Sequence, residues 1–293
     1  RGELDNDAIF AHIFEPDVDD EEGDPETWRK VQPHLGVTVY EDFYKSEYQK
    51  ALYSADDALE FRTKLLNIFA SNSATTWIEA KQIEERFKKV QIENITSKPP
   101  TMVGVDLSVR DDFSTVTYNL YSVDSRSFHS YTDYYFPDGA LEKHPNCELY
   151  KGWVKAGYLK LCKGDIIDYQ QIVDDILKMA NYLCIMGIGY DPYKSAEFVN
   201  LLSSSVGGEA DIINPVKQTY GTFTSPVESF EIAIYSNKIS FDPNPITPYC
   251  FANAILDEDR NCNKKPIKKT HNAKIDSTIT NLMTFHLFNN LTS

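Results

Sequence analysis

Three stretches at 102–108, 114–122 and 127–136 are rich in Val, Tyr, Thr and Phe and are separated by an Asp-Asp and an Asp-Ser turn. β-branched and aromatic runs of this length, cut by turn residues, predict three consecutive antiparallel strands. The elements after them narrow the fold: helices at 147–156 and 169–181, a strand at 183–190, a helix at 194–204 and a strand at 210–213. In the second helix Ile172, Val173, Ile176, Leu177 and Ala180 share one face, the mark of an amphipathic helix on a sheet. Helices at 225–236 and 247–256, an irregular hairpin at 256–270 and a closing helix running to about His286 complete the chain.

A three-strand meander followed by helix, strand, helix and strand is the order of the ribonuclease H-like fold, an α/β mixed sheet flanked by helices. In that order the first strand lies centrally, beside the strand that comes after the first crossover helix. Each of these two strands ends in an aspartate: Val103-Gly104-Val105-Asp106 and Gly187-Ile188-Gly189-Tyr190-Asp191. They are therefore expected as neighbours at one sheet edge, where open α/β sheets bind ligands. Lys274-Ile275-Asp276 opens the last helix and can add a third carboxylate if that helix crosses the sheet. A carboxylate at a buried strand end is costly unless it is paired or holds a metal. Three of them form an all-oxygen donor set suited to Mg²⁺ or Mn²⁺. Any one alone reads as a turn or cap residue; the case rests on the three together.

Upstream, Asp24-Pro25-Glu26 starts a short helix through Trp28, with aspartate as N-cap and proline at N1. Residues 41–53, 56–69 and 79–89 read as further helices, and the double proline Pro99-Pro100 interrupts regular structure. The expected division is a small, mostly helical region over 1–97 and the mixed-sheet domain over 98–293. The net charge of −15 argues against a protein that coats nucleic acid indiscriminately. Much of the excess lies early, where residues 17–24 hold six acids in eight positions, expected as a solvated, mobile loop. The five cysteines form no C-x-x-C pair and suit reduced thiols. No apolar run approaches the ~20 residues of a membrane span, so no membrane partner is expected. The chain opens on Arg1 rather than Met, as a piece of a longer protein would.

Several phrases resemble the large subunit of the tailed-bacteriophage terminase, the DNA-packaging motor. They are Val103-Gly104-Val105-Asp106-Leu107-Ser108 with Asp112-Phe113-Ser114-Thr115, the run from Tyr150-Lys151-Gly152-Trp153 to Gly157-Tyr158-Leu159, and Gly164-Asp165-Ile166-Ile167-Asp168-Tyr169. Gly189-Tyr190-Asp191-Pro192-Tyr193 and Lys274-Ile275-Asp276 come next, in the family's order. Pro25-Glu26-Thr27-Trp28 and Phe61-Arg62-Thr63-Lys64-Leu65-Leu66 resemble the segment linking the motor's ATPase core to its nuclease. The resemblance implies a remnant of the ATPase region and linker, then a nuclease that cuts concatemeric DNA with two Mg²⁺ or Mn²⁺ ions about 4 Å apart. It assigns the metal to Asp106, Asp191 and Asp276, with Asp106 bridging. Its partners would be double-stranded DNA, the ATPase domain, the small subunit and the portal, in the cytoplasm of a bacterial host. No G-x-x-x-x-G-K-[ST] phosphate loop is present, so no ATP hydrolysis is expected of this chain. Asp276-Ser277-Thr278 departs from the family's more apolar start to that helix.

Other residues divide between function and framework. Asp112 reads first as a turn aspartate and second as a further metal ligand. His271 is a loop histidine that could meet a phosphate or a water. His286 shares the apolar face of Ile275, Ile279, Leu282 and Met283 and reads as structural. Lys264, Lys265, Lys268 and Lys269 form a candidate strip for DNA phosphates, with Lys274 as a further candidate. The rival readings are a non-catalytic module that docks DNA or the portal, and another ribonuclease H-like enzyme, a resolvase or a phosphotransferase.

Overall fold

The computed structural model describes residues 14–17, 19–68, 76–110, 112–193, 195–206, 211–270 and 272–292. Two compact units divide between Ser73 and Ala74. The first holds α1 (Pro25–Val31), α2 (Glu41–Ala51) and α3 (Ala55–Glu60), the last running into one π-helical turn, Phe61–Leu65. Asp24 caps α1 by accepting the Glu26 N–H, and Trp28, Val31, Tyr44, Phe61 and Leu66 form the core. The acidic run is solvated, as expected, and cations engage part of it. Lys30 holds Asp17 at 2.9 Å and Asp20 at 2.7 Å, Arg62 holds Glu22 at 2.7 Å, and the Trp28 indole donates to the Glu22 carbonyl. These exposed pairs add little stability each, but they tie the run to α1.

The second unit starts before the double proline, so the expected division at 97/98 lies inside it. The reason is burial: Ile78, Ile83 and Trp77, beside and within α4 (Ala80–Glu84), belong to its core. Next along the chain come β1 (Pro100–Asp106), β2 (Ser114–Ser122), β3 (Ser127–Pro137), α5 (Asp138–Leu141), α6 (Cys147–Lys155), β4 (Lys160–Cys162), α7 (Tyr169–Met179), β5 (Cys184–Tyr190) and α8 (Ala196–Val206). The chain continues with β6 (Ile213–Pro215), α9 (Tyr220–Tyr235), β7 (Ile239–Phe241), α10 (Ile246–Ala252), the hairpin β8 (Ala254–Glu258) and β9 (Lys264–Lys268), and α11 (Asp276–Thr292).

The main sheet has the order β4-β3-β2-β1-β5-β6, with β7 also on β3. The first three strands pair antiparallel and β1–β5–β6 pair parallel. This is the ribonuclease H-like topology. β1 is buried on both faces, which is why it reads as a near-continuous apolar run. Val103 and Val105 face α7 and α8 with Ile172, Ile176 and Phe198. Strand alternation puts Met102, Gly104 and Asp106 on the opposite face, where α11 lies.

The seam between α11 and the sheet is polar although fully buried. Thr280 shares a hydrogen bond with Thr117 at 2.7 Å, Asn119 donates to Thr284 at 3.0 Å, and Ser130 donates to Asn281 at 2.8 Å. The apolar residues Ile279, Leu282 and Met283 belong to the core that α9 completes with Phe230 and Val227. Small side chains let the helix come close. A Cβ built on Gly104 would run into the Thr280 carbonyl oxygen, so only glycine fits. Gly104→Ala is therefore expected to cost about 1–3 kcal/mol by overpacking. Urea melts of the two proteins measure the loss; equal midpoints would mean that helix and strand part at no cost.

Candidate metal and nuclease site

Parallel pairing sets Val105 beside Tyr190, so Asp106 and Asp191 leave neighbouring strands at the same sheet edge. α11 begins at Asp276, and Thr280, one turn later, is the residue pressed onto Gly104. The close approach thus delivers Asp276 to the end of β1, where a carboxylate also suits a helix N-terminus. Asp112, in the β1–β2 turn, completes a group of four acids.

Their electrostatics register the crowding. Burial, reinforced by the charges of Asp191 and Asp112, pushes the Asp106 carboxyl up to about 7. Burial, then Asp112 and Asp106, raises Asp276 well above the ordinary carboxylate range. Lys268 works against both shifts. It also pairs with Asp112 Oδ2 at 2.9 Å, while Lys274 pairs with Asp112 Oδ1 at 2.8 Å. Asp112 is thus more than a turn residue: it is the anionic bridge between two lysines beside the acid group. Lys274 reaches it because α11 starts two residues later, leaving Lys274 off the helix and buried.

Asp191 is oriented by two donors, the Tyr193 N–H at 2.9 Å and the Gln218 amide at 2.6 Å. Among the described residues neither Asp276 Oδ2 nor Thr115 Oγ1, both buried, has a hydrogen-bond partner, and Thr115 sits opposite Asp106 in the β1–β2 ladder. Among the described residues no three acidic, histidine or cysteine side chains stand ready arranged as metal ligands. Gln218 engages Asp191, and the two lysines engage Asp112. The donor set nevertheless fits a hard divalent cation: oxygen ligands only, one of them buried and unsatisfied.

The other lysines lie elsewhere. Lys265 stacks on the Tyr220 ring, 4.6 Å from its centroid; Lys264 begins β9, and the Lys269 N–H bonds the Asn253 carbonyl. His271 lies outside the described residues. His286 is half-buried with its pKa lowered by burial, in keeping with a structural role. Gln218 was missed because nothing in a β6–α9 connection marks an amide as the partner of Asp191. Thr115 was within reach, because the antiparallel register alone sets it against Asp106.

The raised Asp106 carboxyl has a pH consequence. An unfolded aspartate titrates near 3.9, so the folded chain holds a proton that the unfolded chain releases. Stability is then full at low pH and is lost as pH rises toward about 7. With chelator present, Asp106→Asn should melt progressively higher than the parent from about pH 4 to 7, with a constant gap above that. Parallel melting profiles would show that Asp106 is ionised without penalty.

The family model for the terminase large subunit, endonuclease domain, matches residues 3–290. Protein YmfN of Escherichia coli (strain K12) is 28% identical over 301 residues, covering 97% of this chain and 64% of YmfN. The HK97 bacteriophage large terminase superposes with a TM-score of 0.64 at 19% identity, over 94% of this chain and 56% of its own. The large terminase nuclease of thermophilic phage G20c, solved with bound magnesium, gives a TM-score of 0.46 at 7% identity, over 74% of this chain and 97% of its own. The chain thus spans less than two thirds of the length of YmfN or of the HK97 protein. Matched by that model over nearly its whole length, it belongs to the terminase large subunit endonuclease domain family.

Proposed function

We propose that this chain is a divalent-metal-dependent endodeoxyribonuclease that cuts concatemeric viral DNA for packaging. The observation that carries the reading is the meeting of Asp106 with Asp191 and Asp276 at one sheet edge, with Asp276 Oδ2 buried and unsatisfied. Such an arrangement costs the fold stability and is explained by a cation that the carboxylates share. Asp106, Asp191 and Asp276 are the residues that would hold the metal, two Mg²⁺ or Mn²⁺ ions. When bound, such ions acidify an attacking water and neutralise charge on the leaving oxygen. Gln218 and the Tyr193 N–H fix the Asp191 carboxylate by hydrogen bonds, as outer partners of ligating carboxylates do. Lys268 and Lys274 bring positive charge to the edge where a phosphate would arrive and offset the acids until it does.

In its wider setting we infer a motor in which an ATPase domain precedes these residues, with a small subunit and a portal as partners, in the cytoplasm of a bacterial host. Without a phosphate loop, this chain by itself should not hydrolyse ATP. One observation favours the rival, a non-catalytic docking module: Asp191 and Asp112 are already engaged by Gln218 and the lysines.

Plasmid nicking separates the two. The parent should nick supercoiled DNA with Mn²⁺, and Asp106→Asn, Asp191→Asn and Asp276→Asn should each lose on the order of 10²–10³-fold, the scale of one missing electrostatic stabiliser. Correctly folded variants that nick like the parent would end the assignment. Gln218→Ala should retain cleavage at saturating Mn²⁺ but need about 10–100-fold more metal. An unchanged metal titration would reduce Gln218 to a structural contact.

A further inference from the structure

Beside the acid group, on the Asp112 side, lies a cavity of about 830 Å³ lined by basic side chains from four separate segments. Arg110 comes from the β1–β2 turn, Lys143 and His144 from the α5–α6 connection, Lys268 from β9 and Lys274 from the approach to α11. Among the described residues that line it, Asp112 is the only acid. In a chain of net charge −15, this concentration of positive charge stands out against its surroundings.

We propose that this cavity binds the phosphate backbone of the DNA strand next to the cut, with Lys143 and His144 forming its outer wall. The inference rests on the nuclease reading for the identity of the polyanion. Lys268 and Lys274 join the cavity to the carboxylates: both hold Asp112, and Lys268 also feels Asp106 and Asp276. A backbone entering between them would run from the basic wall to the acid group. Among the described residues no ion pair engages Lys143, whereas its neighbour Glu142 is taken by Lys151. His144 is fixed in place, stacked on Tyr150 with ring centroids 4.4 Å apart. Its Nδ1 accepts the Asn146 N–H at 3.1 Å, which with the Tyr150 stack fixes the ring as part of the wall. One face of the imidazole is spent on Tyr150, and no other aromatic ring among the described residues lines the cavity. The wall therefore offers charge and hydrogen bonds rather than base stacking, which is the chemistry of sequence-independent backbone contact. Charges spread over four segments suit several phosphates along a strand better than one small anion. The residues on β8–β9 expected to form the DNA strip contribute only Lys268.

The test measures binding rather than cleavage, so it stands apart from the nuclease reading. Anisotropy of a fluorescent duplex, in chelator, is followed against salt for the parent, Lys143→Ala/His144→Ala, Lys143→Glu and Lys178→Ala. Lys178 lies on the last turn of α7, against the other face of the sheet. The double variant should bind several-fold more weakly and flatten the slope of log K against log salt by about 1, the mark of one lost phosphate contact. Lys143→Glu should weaken binding further, and Lys178→Ala should leave affinity and slope unchanged. Inorganic phosphate should compete no better than sodium chloride of equal ionic strength; stronger competition would make the cavity a small-anion site and overturn the proposal. Wall variants that melt and bind like the parent, or a parent that binds no duplex at low salt, would also overturn it. A parent that binds as described but cuts nothing with Mn²⁺ would instead remove the nuclease reading and leave the groove.

Discussion

The contact between Gly104 and the backbone of Thr280 governs the second unit. A helix that packs on a sheet through leucines stands off by the length of those side chains. α11 is drawn in by hydroxyl and amide groups, with Thr280, Asn281 and Thr284 bonded to Thr117, Ser130 and Asn119, and it meets β1 where the strand has no side chain. A buried polar seam of this kind is directional, because each partner left unbonded is penalised. It therefore fixes the rotation and height of α11 more sharply than an apolar seam would. What that fixes is the position of Asp276.

The same closeness explains why the acid group is expensive. Asp276 is buried and its pKa is raised by Asp112 and Asp106, while burial of the Asp106 carboxyl, with Asp191 and Asp112, raises that of Asp106. The chain relieves part of the load with Lys268 and Lys274, which neutralise Asp112 and moderate its neighbours. The relief is incomplete, since Asp106 remains close to neutral pH in its titration and Asp276 Oδ2 has no partner. Evolutionary tolerance of such a cost is characteristic of functional sites, where perturbed carboxylates gather. The basic cavity alongside supplies the opposite charge within the same unit, so one edge of the sheet carries both an acidic and a cationic half.

Much of this was legible in the sequence, for identifiable reasons. β1 to β3 and α7 carry long, strongly periodic signals, and the order of elements then places Asp106 beside Asp191 without further information. The three-residue strands β4 and β7 were not legible: Lys160–Cys162 and Ile239–Phe241 are strands only through pairing with β3. The π-helical turn at Phe61–Leu65 and the shortness of α4 likewise depend on packing rather than on local propensity. Pro99-Pro100 reads as a boundary because prolines interrupt regular structure, yet Ile78 and Ile83 ahead of it are core residues of the second unit. Lys274 lies just ahead of α11, so helical spacing carries no information about where it points. Gln218 and the Lys143–His144 wall are purely tertiary, assembled from connections whose local sequence carries no periodic signal.

The central claim is that the acids at the end of β1 share divalent metal. Crystals soaked in Mn²⁺ and measured at the manganese absorption edge test it directly, because anomalous peaks identify the ion without reference to activity. The account predicts anomalous density against the carboxylates of Asp106, Asp191 and Asp276, with Asp276 Oδ2 now a ligand. Manganese found only elsewhere, with Asp276 Oδ2 still unpartnered, would contradict the account.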